Sequence, residues 1–214
     1  MANETRKYRM IKRAGTQVQT RERIVASTAQ LHATIGPAKT TMSAVADHAG
    51  VPRSTVYRHF EDEAALVVAC ATHWQMANQP PPLEPWAAIE DPDQRLTRAL
   101  REIYAYYRSA GTMMENVLRD EAAVPVLSEV LGRFRGYLAA AHEILMSDRP
   151  SRGSAHRKTR AAIGHALAYT TWQSLARHNQ LTDTEAADLM AKLAAAVDIA
   201  NTGIRTRSEK QAGR

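Results

Sequence analysis

A glycine corner between two short helices constrains this chain more than any other feature. In TTMSAVADHAGVPRSTVYRHF, residues 40–60, Met42, Val45, Ala46 and Ala49 fall at helical spacing and end at Gly50. Pro52 then opens a second short run that closes near His59. Gly50 tolerates a positive φ and so ends the first helix; Pro52 suits a first turn, where its missing N–H needs no partner. Two helices this short enclose no core. Ile24, Ala29, Leu31 and Ile35 supply a third, over residues 20–35, stopped by Gly36-Pro37. Ala46 is small where helices must cross closely, and Val51 and Val56 point into the three-helix core. The arrangement is a helix-turn-helix.

The core positions leave Arg53, Ser54, Thr55, Tyr57, Arg58 and His59 facing outward. A helix fits the major groove of duplex DNA, where arginine takes guanine through two hydrogen bonds and hydroxyls meet base edges or phosphates. Tyr57 and His59, farther from the N-terminal end of the helix, suit backbone phosphates. Lys39, Thr40 and Thr41 precede the helix that starts near Met42, whose free N–H groups make a seat for another phosphate. The formal net charge is +6. Arg6, Lys7, Arg9, Lys12, Arg13, Arg21 and Arg23 crowd the front of the chain against Glu4 and Glu22, an arm that attracts a polyanion. Taken singly, each residue also fits a solvated polar face, and the arm a solvated tail. Asp62 caps a fourth helix through Leu66, Val67, Cys70 and Trp74.

From about Thr20 to Leu66, RERIVASTAQLHATIGPAKTTMSAVADHAGVPRSTVYRHFEDEAAL resembles the DNA-binding domain of the TetR/AcrR family of transcriptional regulators, over about a quarter of the chain. The resemblance implies an all-helical homodimer, in most members a repressor. Its divergent C-terminal domain binds a small molecule and pairs through the last two long helices. By position it implies that Thr41 caps and touches phosphate, Arg53 to Thr55 face bases, and Tyr57 and His59 hold the backbone. His32 stands where the family has an aromatic or other apolar residue, and Glu63 where it has a lysine.

The Pro-rich stretch 80–85 and the following EDPD mark the clearest boundary. Beyond it, apolar spacing is helical to the end. Leu96, Leu100, Ile103 and Tyr107 form a stripe closed by Gly111, and TMMENVLRDEAA is a short helix stopped near Pro125. Leu127 to Leu145 line the next, before the polar loop SDRPSRGSAHRK. The last two helices fall over residues 158–179 and 184–204, with a Thr182/Glu185 capping box. The expected fold class is all-α: an N-terminal three-helix helix-turn-helix domain joined to a larger helical ligand-binding and dimerisation domain. The divisions are a basic arm at 1–15, the DNA-binding domain at 16–66, connecting helix four at 67–79, the effector-binding and dimerisation domain at 80–206, and a tail at 207–214.

Tyr104, Tyr107, Met113, Met114, Phe134, Tyr137, Tyr169 and Trp172 are candidates to surround a ligand cavity, with Glu115, Asn116, Arg119 and His165 as its polar contacts. Ordinary core packing and salt bridges between helices explain the same residues. Repeated alanines from Ala186 to Ala200 suit close helix approach in a four-helix dimer interface or within the chain.

Among eight histidines there is no HExxH and no i, i+4 metal pair, and the sequence has neither GxSxG nor a glycine-rich phosphate loop. No catalytic residue, metal or cofactor is therefore expected. The single cysteine fits a small buried side chain in a reducing compartment, and no apolar run approaches the about 20 residues of a membrane span, so a cytoplasmic protein without membrane contact is expected. The expected partners are an operator in double-stranded DNA, a second copy of the chain and an unidentified small-molecule effector. The reading is a repressor released from a near-palindromic operator by an apolar or aromatic ligand. The alternative is a ligand-independent DNA-binding dimer or activator whose C-terminal domain recruits a protein.

Overall fold

The computed structural model describes the backbone of residues 2–211 and the side chains of residues 15–197. The described residues contain helices and turns and no strand. The chain divides into two compact units: residues up to Gln79 with Gly111–Gly132, and Pro80–Ala110 with Arg133 onward.

In the first unit, α1 spans Ala2–Thr34, α2 Met42–Ala49, α3 Arg53–His59 and α4 Glu63–Ala77, with a 3-10 turn at Pro37–Lys39. The expected start of α1 near residue 20 is too late: no proline interrupts residues 2–34, and arginine, lysine, methionine and glutamine there are good helix formers. The arm residues Arg6, Lys7, Arg9, Lys12 and Arg13 lie outside the residues whose side chains are described. Gly50 adopts φ 62°, ψ 42°, and its N–H caps Ala46 and Asp47 carbonyls. Ile24, Val25, Met42, Val45, Ala46, Ala49, Val56, Phe60 and Leu66 are buried together, with Leu31, Val51 and Ala69 packed against them. A fully buried valine or isoleucine such as Val45 or Ile24 contributes about 1.5–3 kcal/mol relative to exposure. Asp62 caps α4 through Ala65 N–H at 2.7 Å.

The second unit opens in the Pro-rich stretch, which holds a helical turn, α5 (Glu84–Ala87), that the sequence reading did not anticipate. Trp86 in it is fully buried and donates from Nε1 to Glu102 at 2.7 Å. Helix α6, Pro92–Asp120, passes from one unit into the other at Gly111, where φ 51° and ψ −139° break it as expected. Helix α7 is Val126–Met146. Helix α8 begins at Gly153, inside the segment expected as a loop, and runs to Leu167.

The continuous helix expected over 158–179 is broken at Ala168, whose ψ is 135°. No proline or glycine marks the break. Its cause is remote: the Tyr104 hydroxyl donates to the Ala166 carbonyl at 2.8 Å and the Tyr107 hydroxyl to that of Leu167 at 2.6 Å, taking the acceptors that Thr170 and Thr171 amides would use in an unbroken helix. A short α9 (Tyr169–Trp172) and a π-helical turn (Gln173–His178) follow. The final helix, α10, spans Asp183–Gln211, with the capping box in place: Glu185 accepts from Thr182 N–H at 2.8 Å.

Candidate nucleic-acid interface and the C-terminal core

Helix α3 buries Val56 and presents Arg53, Ser54, Tyr57 and Arg58 to solvent. Arg53 and Tyr57, one turn apart, form a pair: Arg53 Nη2 donates to the Tyr57 hydroxyl at 3.1 Å and the guanidinium sits 5.4 Å from the ring centroid. Tyr57 is 43% exposed, a large aromatic surface left open on α3. That pairing, a hydrogen bond first and the phenol's charge second, raises the Arg53 pKa. Thr55 and His59 are half-buried. His59 Nε2 has no hydrogen-bond partner among the described residues, and burial, then Arg58 and Arg21, lowers its pKa. Arg21 lies 4.7 Å over the Phe60 ring, so a cation from α1 is held at the C-terminal end of α3.

Thr41 is the N-cap of α2, its hydroxyl accepting from Ala44 N–H at 3.1 Å. Lys39 is exposed beside it. The Thr40 hydroxyl is instead engaged with the Gly36 carbonyl at 2.8 Å. Glu63 occupies the first turn of α4 and is exposed.

His32 is only 4% exposed, and its Nδ1 lies 3.6 Å from Cys70 Sγ. Burial lowers the imidazole pKa to about 4, partly opposed by Asp120, and raises that of the Cys70 thiol to about 12. Thiol and imidazole are therefore both neutral, and the pair fills the place of an apolar contact.

The candidate effector residues fall in both units. In the second, Tyr104, Tyr107, Tyr169 and Trp172 are buried, joined by Tyr106, which the sequence reading passed over. Ring centroids are 5.3 Å apart for Tyr107–Tyr169, 5.9 Å for Tyr107–Trp172 and 5.9 Å for Tyr106–Phe134. Phe134 stacks on Tyr137, whose hydroxyl donates to the Pro81 carbonyl at 2.9 Å. Burial raises the Tyr104 and Tyr107 pKa values, so both phenols stay protonated and serve as donors. Trp172 Nε1 donates to Asp183 at 2.8 Å, and Asp183 also pairs with Arg108 on the edge of an open cleft of about 560 Å³. His165 is exposed, its carbonyl accepting from the Thr171 hydroxyl at 2.6 Å. Met113, Met114, Glu115, Asn116 and Arg119 belong to the first unit; Met113 and Met114 are buried and Glu115 is exposed.

Asn116 and Arg119 have structural partners that no local pattern revealed. Asn116 Nδ2 donates to the carbonyls of His32 at 2.9 Å and Ala33 at 3.0 Å, and its Oδ1 accepts from Arg119 at 2.7 Å. Arg119 pairs with Asp120 at 2.8 Å, and Asp120 accepts from Ala38 N–H at 3.0 Å. The His32, Ala33 and Ala38 partners lie more than 80 residues from Asn116 and Asp120 in the chain. Among the described residues there is no cluster of three or more metal-ligating side chains and no helix long and apolar enough to cross a membrane.

No protein of curated function matches the sequence. Several solved structures share the fold at low identity. A Mesorhizobium loti MAFF303099 protein assigned to the TetR-family transcriptional regulators superposes with a TM-score of 0.60 at 15% identity, covering 85% of this chain and 97% of that one. AibR, solved with isovaleryl coenzyme A and operator DNA, gives 0.59 at 18% identity over 81% and 97%. FadR from Bacillus subtilis, solved with stearoyl-CoA, gives 0.52 at 16% over 81% and 96%. The family model for bacterial regulatory proteins of the tetR family matches residues 24–70, from α1 through the corner at Gly50 into α4. Residues 24–70 thus match the model of the tetR-family DNA-binding domain, and the fold, a helix-turn-helix followed by a larger helical part, is the one these solved structures share.

Proposed function

We propose that this chain is a transcriptional regulator of the tetR type, working as a homodimer that represses transcription from a near-palindromic operator and is released by a small apolar or aromatic molecule. The observation that carries the DNA reading is the α3 face, where Arg53 and Tyr57 are exposed and paired while Val56 anchors the helix from behind. Arg53, Ser54 and Thr55 read bases; Lys39, Thr40, Thr41, Tyr57, Arg58 and His59 hold phosphates. One such helix spans too few base pairs for useful specificity, so two act together at half-sites about one helical turn or more apart. The dimer reading is supported by Leu189 and Leu193, 39% and 52% exposed one turn apart on α10, while Ala186, Ala187, Ala191 and Ala194 are buried.

For the effector, the aromatic cluster of Tyr104, Tyr107, Phe134, Tyr137, Tyr169 and Trp172 supports an apolar or aromatic ligand. His165 is the remaining candidate contact in the same unit, whereas Met114, Glu115 and Arg119 belong to the first unit. The acyl thioesters of coenzyme A bound by AibR and FadR add one class to test. A ligand-independent dimer is the second reading, favoured by the fully buried Tyr104 and Tyr107, whose hydroxyls are already committed to backbone carbonyls. The experiment is selection of duplex DNA from a random library by the full chain, then titration of the selected duplex with aromatic acids and acyl-CoAs. Recovery of a two-fold-symmetric site whose affinity falls on adding one compound supports the sensor. A dimer that keeps its operator affinity with every compound, yet captures a protein through its C-terminal part, supports the adaptor. An asymmetric site footprinted by a monomer removes the dimer reading.

A further inference from the structure

The end of α1 is capped from a distance. The carbonyls of His32 and Ala33 accept from Asn116, and that of Ile35 accepts from Arg119 at 3.4 Å. At the next turn of chain, Asp120 accepts the Ala38 N–H immediately before Lys39, Thr40 and Thr41. A cation and an amide donor suit the negative end of a helix, and a carboxylate suits the free N–H groups that open the 3-10 turn. Gly36, at φ 91°, lets the two segments meet: a methyl group there would run into both Arg119 Nη2 and the Asp120 carboxylate. Asn116 and Asp120 are each only 6% exposed, so neither reaches DNA directly.

We propose that Asn116, Arg119 and Asp120 are positioning residues for operator recognition: they clasp the end of α1 and the turn into α2, and so fix where the phosphate seat at Thr41 lies relative to α3. The proposal rests on the DNA-binding reading above. The clasp residues sit on the segment directly after the break at Gly111, so a shift of that segment pulls on His32, Ala33 and Ala38. Sequence-specific binding needs both reading heads in register, whereas binding to arbitrary DNA needs only the basic residues. The two modes therefore separate when the clasp is loosened.

The test uses the full dimeric chain, a duplex it selects from a random library and a scrambled duplex of equal length. Asn116→Ala and Asp120→Asn are each expected to weaken the selected duplex at least tenfold, to change the scrambled duplex less than twofold and to leave the salt slope of the scrambled duplex unchanged. Equal losses on both duplexes indicate a purely structural role and overturn the proposal, as does wild-type affinity for the selected one. A lower salt slope on the scrambled duplex would place the residues at phosphates and also overturn it. If neither variant folds, the clasp is a stability element and the proposal fails. If the unaltered protein selects no duplex, the DNA-binding reading itself falls, an outcome separate from any behaviour of the variants.

Discussion

Replacing Glu63 by lysine tests the electrostatics of the proposed DNA face. Glu63 is exposed in the first turn of α4, one residue after the cap Asp62, and its charge adds weakly to the field that favours the charged form of Arg53. The substitution removes an anion and adds a cation in each subunit of the proposed dimer. Its cost to the fold is about 0.3–1 kcal/mol, the value of an acid at a helix N-terminus, while Asp62 keeps its hydrogen bond to Ala65. If the new lysine meets one phosphate per subunit, the slope of log affinity against log salt steepens by about 0.9 per contact, or about 1.8 for a dimer. Between 50 and 200 mM salt the variant then loses about 12-fold more affinity than the wild type, with an advantage at low salt for selected and random duplexes alike. Fluorescence anisotropy with labelled duplexes at four salt concentrations reads the slope. A folded, dimeric Glu63→Lys protein with an unchanged slope would refute the reasoning and move the first turn of α4 away from the phosphates.

Two further expectations concern stability. His32 is held neutral in the folded state, with its pKa lowered to about 4 by burial, against an unfolded value near 6.5. The unfolded chain therefore binds the extra proton first. Stability contributed by neutral His32 is present above pH 6.5 and declines by up to about 3 kcal/mol as pH falls towards 4. Denaturant unfolding at pH 7.5, 6 and 5 should show this decline in the wild type and lack it in His32→Leu; parallel curves in the two proteins would exclude His32 as its source. Tyr107→Phe removes a buried donor to the Leu167 carbonyl and should cost about 1–3 kcal/mol in denaturant unfolding, and a change under 0.5 kcal/mol would mean that the break at Ala168 does not depend on it.

The parts of this molecule legible in its sequence are those whose cause is local. Gly50 ends α2 because a positive φ is needed within the same turn, and Thr41, Asp62 and Thr182 cap the helices that begin right after them. The outward face of α3 was legible for the same reason, since Val56 alone settles which side is buried. The interruption at Ala168 was not, because alanine there favours continuation and the residues that break the helix, Tyr104 and Tyr107, lie about 60 positions away. Asn116 and Arg119 read equally well as ligand contacts, since nothing in their neighbourhood names the carbonyls of His32, Ala33 and Ile35 as acceptors.

These remote contacts share one physical origin, which explains why they escape pattern reading. A helix that stops leaves carbonyls without intrahelical donors, and when the end is buried only a side chain from elsewhere can satisfy them. At Ala168 the donors are phenols, which burial keeps protonated. At the end of α1 they are an amide and a guanidinium, and Asp120, with its pKa lowered by Arg119, stays charged and keeps the guanidinium in place. A phenol can be replaced by phenylalanine with the packing retained, so the Tyr107 site should respond mainly through stability. The clasp is different, because its acceptors belong to the helix and turn that lead directly into Thr41. On the proposed reading a change there moves the phosphate seat as well as weakening the fold, so loss of specific binding should exceed what the loss of stability alone accounts for.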